Sequence, residues 1–301
     1  MPISALYIKE WPRFGALLTL MEHIRSIEEL AHWKSKEREK KTGFVPTMGA
    51  LHVGHLSLVR LSQSISDRTL VSIYVNPTQF NKAEDLAAYP DTLEADLRAL
   101  EALGCDAVFL PSAQMLYPDG LKSRRFNFNQ LDHSMEGAGR PGHFEGMATV
   151  VTRFFELIEP DFAVFGEKDY QQLSIIKQVV TKEGWPVEIV PAGIFREADG
   201  LAMSSRNMRL LPGEREDAAQ IFAILSTRIS RLNLQETSPK AFANQCTEAL
   251  NAVPSIQVEY VSCCDAATLQ QVGEFDTSRP TRVFAAVQCG KVRLIDNLPL
   301  F

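Results

Sequence analysis

The chain has 301 residues, long for a single ~150-residue domain and short for three. Hydrophobic residues make up 45% and charged residues 23%, ordinary globular usage that excludes a disordered or collagen-like chain. Acidic residues outnumber basic ones, 37 to 31, for a net charge of -6. A general nucleic-acid binder would carry a basic excess, so no nucleic-acid partner is expected. No run approaches the ~20 apolar residues that span a bilayer, so a soluble protein with no membrane partner is expected.

Gly15 to Met21 is a short apolar run after Lys9 and Arg13, faintly like a signal peptide. It lacks a small-residue cleavage site and leads into a charged helical pattern, so export is not expected. Residues 1–20 read as an extension, with Met21 an alternative start. Cys105, Cys246, Cys263, Cys264 and Cys289 offer no C-x-x-C spacing, so neither a zinc ribbon nor a disulfide framework is suggested. Cys263 and Cys264 lie in an apolar run and read as small buried hydrophobes.

Short apolar runs alternate with helical patterns over the first two-thirds. Thr42 to Pro46, Thr69 to Val75, Ala107 to Leu110 and Phe162 to Phe165 read as buried strands. Leu56 to Ser66, Leu93 to Leu103, Met147 to Ile158 and Gln171 to Lys182 read as helices. Met147, Val150, Val151, Phe154 and Ile158 fall on one helical face. Such alternation predicts an α/β fold, a Rossmann-like doubly wound parallel sheet covered on both sides. Lys122 to Gln130 alternates polar and apolar residues and predicts an additional or edge strand.

After Arg209 the texture changes. Pro212 to Leu232 predicts a long amphipathic helix, and a second helix ends near Val253. Ile256 to Asp265, Arg282 to Gln288 and Lys291 to Asp296 predict three strands. The expected division is residues 1–193, a nucleotide- and substrate-binding domain, and 194–301, a smaller α+β lid domain.

The first strand runs into Pro46-Thr47-Met48-Gly49-Ala50-Leu51-His52-Val53-Gly54-His55. A glycine-punctuated loop between a parallel strand and a helix lies at the carboxyl edge of the sheet, where doubly wound folds bind ligands. Gly49 and Gly54 permit close backbone approach, and the following helix N-terminus attracts anions. His52 and His55 can then face one ligand. A zinc site is the rival, but H-E-x-x-H spacing and a third nearby ligand are lacking. Lys168 follows the strand Phe162 to Phe165; such a lysine is usually solvated, but beside Gly166, Glu167 and Asp169 it suits a phosphate. Ser204, Ser205 and Arg206 offer two hydroxyls and a guanidinium, a grip suited to phosphates.

H-x-G-H in this context resembles the nucleotidyltransferase superfamily that includes class I aminoacyl-tRNA synthetases. Val75 to Phe80 (V-N-P-T-Q-F), Tyr117 to Gly120 (Y-P-D-G), Gly166 to Gln172 (G-E-K-D-Y-Q-Q) and Arg196 to Asn207 narrow the likeness. Together they resemble the pantothenate synthetase (pantoate–β-alanine ligase) family, from about Met21 to the C-terminus. The resemblance implies ATP, pantoate and β-alanine as substrates, magnesium as cofactor, a pantoyl adenylate intermediate, a cytoplasmic setting and a homodimer. It implies a proton-donor or charge-stabilising role for His55 and phosphate contacts from His52, Lys168 and Arg206. Met48 to His55, Gly166 to Asp169, Phe195 and Met203 to Arg206 become ATP-binding, with Gly166 and Asp169 at the ribose. Gln79 and Gln172 match the two pantoate-binding glutamines; Asn76, Pro46 and Thr47 join the substrate site. Glu136 and Arg140 would close over it on a glycine-rich loop.

Two departures stand out. Phe195 occupies a position where the family often has Val, which changes a wall of the adenine pocket. Of a pair of aspartates that help hold magnesium in some members, only Asp96 remains. Other readings are a different H-x-G-H nucleotidyltransferase, without the two glutamines, or a non-catalytic binding protein. The latter gives no reason for His52, His55, Lys168 and Arg206 to stand together at strand-end loops.

Overall fold

The structure, a computed structural model, describes residues 20–81 and 83–301. The extension read into residues 1–20 lies outside the described residues, Leu20 excepted. The described chain forms two compact units. One comprises the chain up to Glu167 with Gln172–Gly193, the other Lys168–Gln171 with Ile194–Phe301.

In the first unit, continuous burial drives a parallel sheet. Phe44, Val45, Leu70 and Val71 are fully buried, as strands covered on both faces require. The strands are β1 (Glu22–Ile24), β2 (Thr42–Thr47), β3 (Arg68–Ile73), β4 (Ala107–Phe109), β5 (Phe162–Gly166) and β6 (Glu188–Ala192). They pair in parallel in the order β1-β4-β3-β2-β5-β6. From β2 the order steps one way through β3 and β4 and the other through β5 and β6. The switch point therefore lies between β2 and β5, at whose carboxyl ends ligands bind.

The helices of this alternation are α1 (Ile27–Lys36), α2 (Val53–Ile65), α3 (Leu93–Leu103), α4 (His143–Ile158) and α5 (Tyr170–Glu183). In α4 the predicted apolar face is buried, and so are Ala148, Thr149, Thr152 and Phe155. This helix is enclosed nearly all round. β1 and β6 escape the sequence reading: β1 is only three residues long, and Pro191 interrupts the apolar run of β6.

The strand expected over Lys122 to Gln130 does not form. Asn129 and Gln130 adopt φ values of 50° and 67°, left-handed conformations that no strand accommodates. The Asn127 side chain accepts from the Asn129 N–H at 2.9 Å, which turns the chain. Phe126 and Phe128 stack on one another with centroids 5.6 Å apart, so their alternation serves a ring pair.

The second unit packs α6 (Pro212–Ser230) and α7 (Pro239–Asn251) on an antiparallel sheet. Its strands are β7 (Ile256–Asp265), β8 (Thr281–Cys289) and β9 (Val292–Pro299), in that order. Leu225, Phe242 and Leu250 meet Val283, Ala285 and Val287 in its core. All five cysteines are free and buried. Burial pushes the Cys105, Cys263 and Cys264 thiols up to about 12, and those of Cys246 and Cys289 to about 11. They stay protonated at neutral pH and serve as packing groups.

Candidate active site

The loop after β2 is held from below by its own neighbours. Thr47 Oγ1 donates to the Ser72 carbonyl at 2.7 Å and accepts from the Gly49 N–H at 3.2 Å. Gly49 and Ala50 then turn the chain with φ of 80° and 50°. Asp96, buried in the first turn of α3, accepts from the Ala50 and Leu51 N–H groups at 2.9 and 2.8 Å, one carboxylate oxygen each. Thr92 Oγ1 donates to the same carboxylate at 3.0 Å. A Cβ at Gly49 would sit 3.1 Å from Asp96 Oδ2, tighter than most such contacts, so glycine is what lets the two approach. Asp96 therefore has a positioning task that a magnesium-ligand reading does not include.

The loop delivers His52 as N-cap of α2 and His55 one turn on. Their rings stack 3.9 Å apart at 24°. His55 Nδ1 accepts from the His52 N–H at 3.3 Å, which puts the proton of a neutral ring on Nε2. The first turn of α2, with Val53 and Gly54, carries no acidic residue of its own, which leaves the positive end of the helix dipole suited to an anion. This edge can bind an anion and donate to it.

Beside it, the turn after β3 is a closed hydrogen-bond network. Asn76 is buried; its Nδ2 donates to Gln79 Oε1 at 3.2 Å and to the Gly146 carbonyl at 3.1 Å. Its Oδ1 accepts from Tyr117 Oη at 2.6 Å and Thr78 Oγ1 at 3.1 Å. Gln79 Nε2 donates to the Met48 sulfur, which joins this turn to the β2 loop. The Gln79 carbonyl meets His143 Nδ1 at 2.8 Å, and Arg140 Nη1 lies 3.2 Å from His143 Nε2. Burial raises the Tyr74 hydroxyl to about 12 and shifts Tyr117 the same way, keeping both neutral. Met48, Asn76 and Gln79 are thus brought together, with Arg140 on their border. Pro46 lies on β2 itself, and Gln172 stands in the first turn of α5. Gly166 ends β5, and Glu167 opens the helical turn Glu167–Asp169. Glu136 lies in a helical turn, Met135–Gly139.

In the second unit, Lys168, Ser204 and Arg206 line one cleft together with Arg293 and Asp296. Lys168 Nζ is 3.8 Å from the Asp169 carboxylate. Phe195 and Met203 face each other across a hairpin, the Met203 N–H donating to the Phe195 carbonyl at 2.9 Å. Ser204 caps the turn Ser205–Arg209 by accepting from the Arg206 N–H at 3.3 Å. Among the described residues no group of three or more His, Cys, Asp or Glu side chains is arranged to hold a metal ion.

Sequence reasoning misses the tasks of Thr78, Tyr117 and His143 in the first unit, and of Asp296 and Asn297 in the second. The last pair carried a signal: two polar residues in an otherwise apolar strand, Leu294 to Leu298.

The model of the family described as "Pantoate-beta-alanine ligase" matches residues 21–299. A pantothenate synthetase of Porphyromonas gingivalis is 45% identical over 280 residues, covering 92% of this chain and 99% of that protein. One of Bacteroides thetaiotaomicron is 46% identical over 259 residues, covering 86% and 91%. The crystal structure of the Thermus thermophilus pantothenate synthetase shares 38% identity and a TM-score of 0.85, covering 93% of this chain and all of that one. The Francisella tularensis pantoate-beta-alanine ligase, complexed with beta-gamma ATP and beta-alanine, shares 35% identity and a TM-score of 0.78, covering 93% and 98%. The chain belongs to the pantoate-beta-alanine ligase family, ATP-dependent enzymes that join pantoate to β-alanine.

Proposed function

We propose that the chain makes pantothenate in two halves, through a pantoyl adenylate. A pantoate carboxylate oxygen attacks the α-phosphorus of ATP; that O–P bond forms while the bond to pyrophosphate breaks. The β-alanine amine then attacks the acyl carbon, an amide forms, AMP leaves with the electron pair, and the amine loses a proton. Little covalent work falls to the protein in the first half. Its task is to hold two anions in line and offset the developing charge.

His55 donates from Nε2 to a phosphate oxygen, and His52 with the N-terminus of α2 favours the same negative charge. The backbone from Met48 to Gly54 follows the nucleotide, and Gly166, Glu167 and Asp169 take the ribose side. Phe195 and Met203 offer main-chain groups to adenine. Lys168, Ser204, Ser205 and Arg206 neutralise and grip the β- and γ-phosphates. Gln79 and Gln172 hold pantoate with neutral amides that do not repel ATP, with Pro46, Thr47 and Asn76 beside them.

The described residues do not build a protein cage for magnesium, and both Asp96 oxygens already accept N–H groups. Magnesium would be held by the ATP phosphates and water, which needs few protein ligands. Asp96 contributes through the loop it orients. Pairing of two chains and a cytoplasmic setting belong to the same proposal and rest on the family resemblance. No helix among the described residues is long and apolar enough to cross a membrane.

The observation that carries the reading is the stacked His52–His55 pair at the N-terminus of α2, at the switch point, in a chain of this family. AMP release should require both pantoate and β-alanine. Release with any other acid or amine at the same rate would contradict it.

A further inference from the structure

The polar doublet in β9 has no task in the reaction as described so far. Asp296 and Asn297 are 4% and 2% exposed. A buried carboxylate and a buried amide are costly unless partnered, so their partners show what the strand holds.

Asp296 holds Arg196 through two parallel bonds, Nη1 to Oδ2 at 2.7 Å and Nη2 to Oδ1 at 2.9 Å. The same guanidinium donates to the Gly200 carbonyl at 3.0 Å and lies 4.1 Å over the Phe222 ring. It thereby locks the hairpin bridged at Arg196 and Ala202, from which Ser204 to Arg206 emerge. Asn297 reaches the other cationic segment. Its Nδ2 donates to the Lys168 carbonyl at 3.1 Å, while its Oδ1 accepts from Arg282 Nε and Nη2 at 2.9 and 2.7 Å. Arg282 in turn lies 4.3 Å over the Tyr170 ring, two residues beyond Lys168. With Arg282 on its oxygen, the amide has one orientation, and its N–H group faces Lys168.

We infer that Asp296 and Asn297 are positioning residues for the phosphate-handling groups. Adjacent on one strand, they fix the spacing between Lys168 and the Ser204–Arg206 segment. The inference rests on the proposed phosphate role of Lys168 and Arg206. In-line transfer is sensitive to such spacing, because a ~1 Å displacement can cost ~100-fold in rate. The bidentate Asp296–Arg196 contact and the oriented Asn297 amide suit that purpose, since neither rotates without losing two bonds.

A double-mutant cycle separates positioning from mere support. The readout is pantoate-dependent pyrophosphate–ATP exchange with N297A, K168A and both together. N297A should lower exchange ~10–100-fold, raise the ATP requirement, and leave the pantoate KM within about twofold. In the K168A background the same change should cost less than about threefold, while lowering the melting temperature equally in both backgrounds. D296N against R206A gives the parallel cycle. Should N297A fail to fold, N297D keeps the acceptor for Arg282, loses the donor to Lys168, and is read the same way. An N297A loss that persists in full on K168A, or normal exchange by N297A, would overturn the inference alone. Normal exchange by K168A would overturn the phosphate reading of Lys168, and the inference with it.

Discussion

His55 can donate from Nε2 because its Nδ1 is turned back onto the His52 N–H. Replacing it with alanine removes that donor and the stacked ring but leaves the half-buried helix start intact. His55→Ala should therefore melt within a few degrees of wild type and lose adenylation by ~10²–10³-fold, as for one lost charge-stabilising donor. Adenylation near the wild-type rate would remove His55 from the mechanism. Gln79→Ala acts differently. It withdraws an amide from pantoate and leaves Asn76 Nδ2 with one fewer acceptor. The pantoate KM should rise ~10–100-fold, the cost of an unpaired polar group, with the ATP KM nearly unchanged. Equal rises in both would mean the turn had collapsed. His52, His55, Gln79, Lys168 and Arg206 could be proposed from the sequence because each lies in a run of neighbours that resembles a family motif. Tyr117, His143 and Asn297 were not, because their partners lie 41, 64 and 129 residues away.

At the scale of elements, α4 supports the turn Asn76 to Gln79. Gly146 in its first turns lets the helix approach the backbone of Thr78 and Gln79, where a Cβ would stand 2.3 Å from the Thr78 carbonyl oxygen and 2.9 Å from the Gln79 nitrogen. Backbone cannot give way cheaply there, and the Gly146 carbonyl also anchors Asn76. Gly146→Ala should push the turn outward, raise the pantoate KM at least tenfold by a shift of ~1 Å, and destabilise the fold by ~1–3 kcal/mol of overpacking. Unchanged pantoate kinetics with intact stability would show that helix and turn are not coupled. The strands and helices of the αβ alternation were legible because burial writes long apolar runs and helical periods. The region 122–130 misled because alternation, which serves a strand, also serves the Phe126–Phe128 ring stack. β1 was illegible for another reason: three residues pair in register with β4, and that pairing is nowhere in its local sequence.

On the scale of the whole molecule, the α/β class follows from the order of elements, and the change of texture after Arg209 corresponds to an antiparallel sheet under two helices. In the first unit the loop after β2 lies at the switch point of the parallel sheet; in the second unit Lys168, Ser204 and Arg206 line one cleft. The central claim of the proposed function is that adenylation of pantoate precedes any amine. Isotope exchange tests this most directly. Labelled pyrophosphate, supplied with enzyme, magnesium, ATP and pantoate but no β-alanine, should appear in ATP, and omission of pantoate should abolish the exchange. Exchange that appears only once β-alanine is added would contradict a stepwise adenylation and require a concerted reaction of all three substrates.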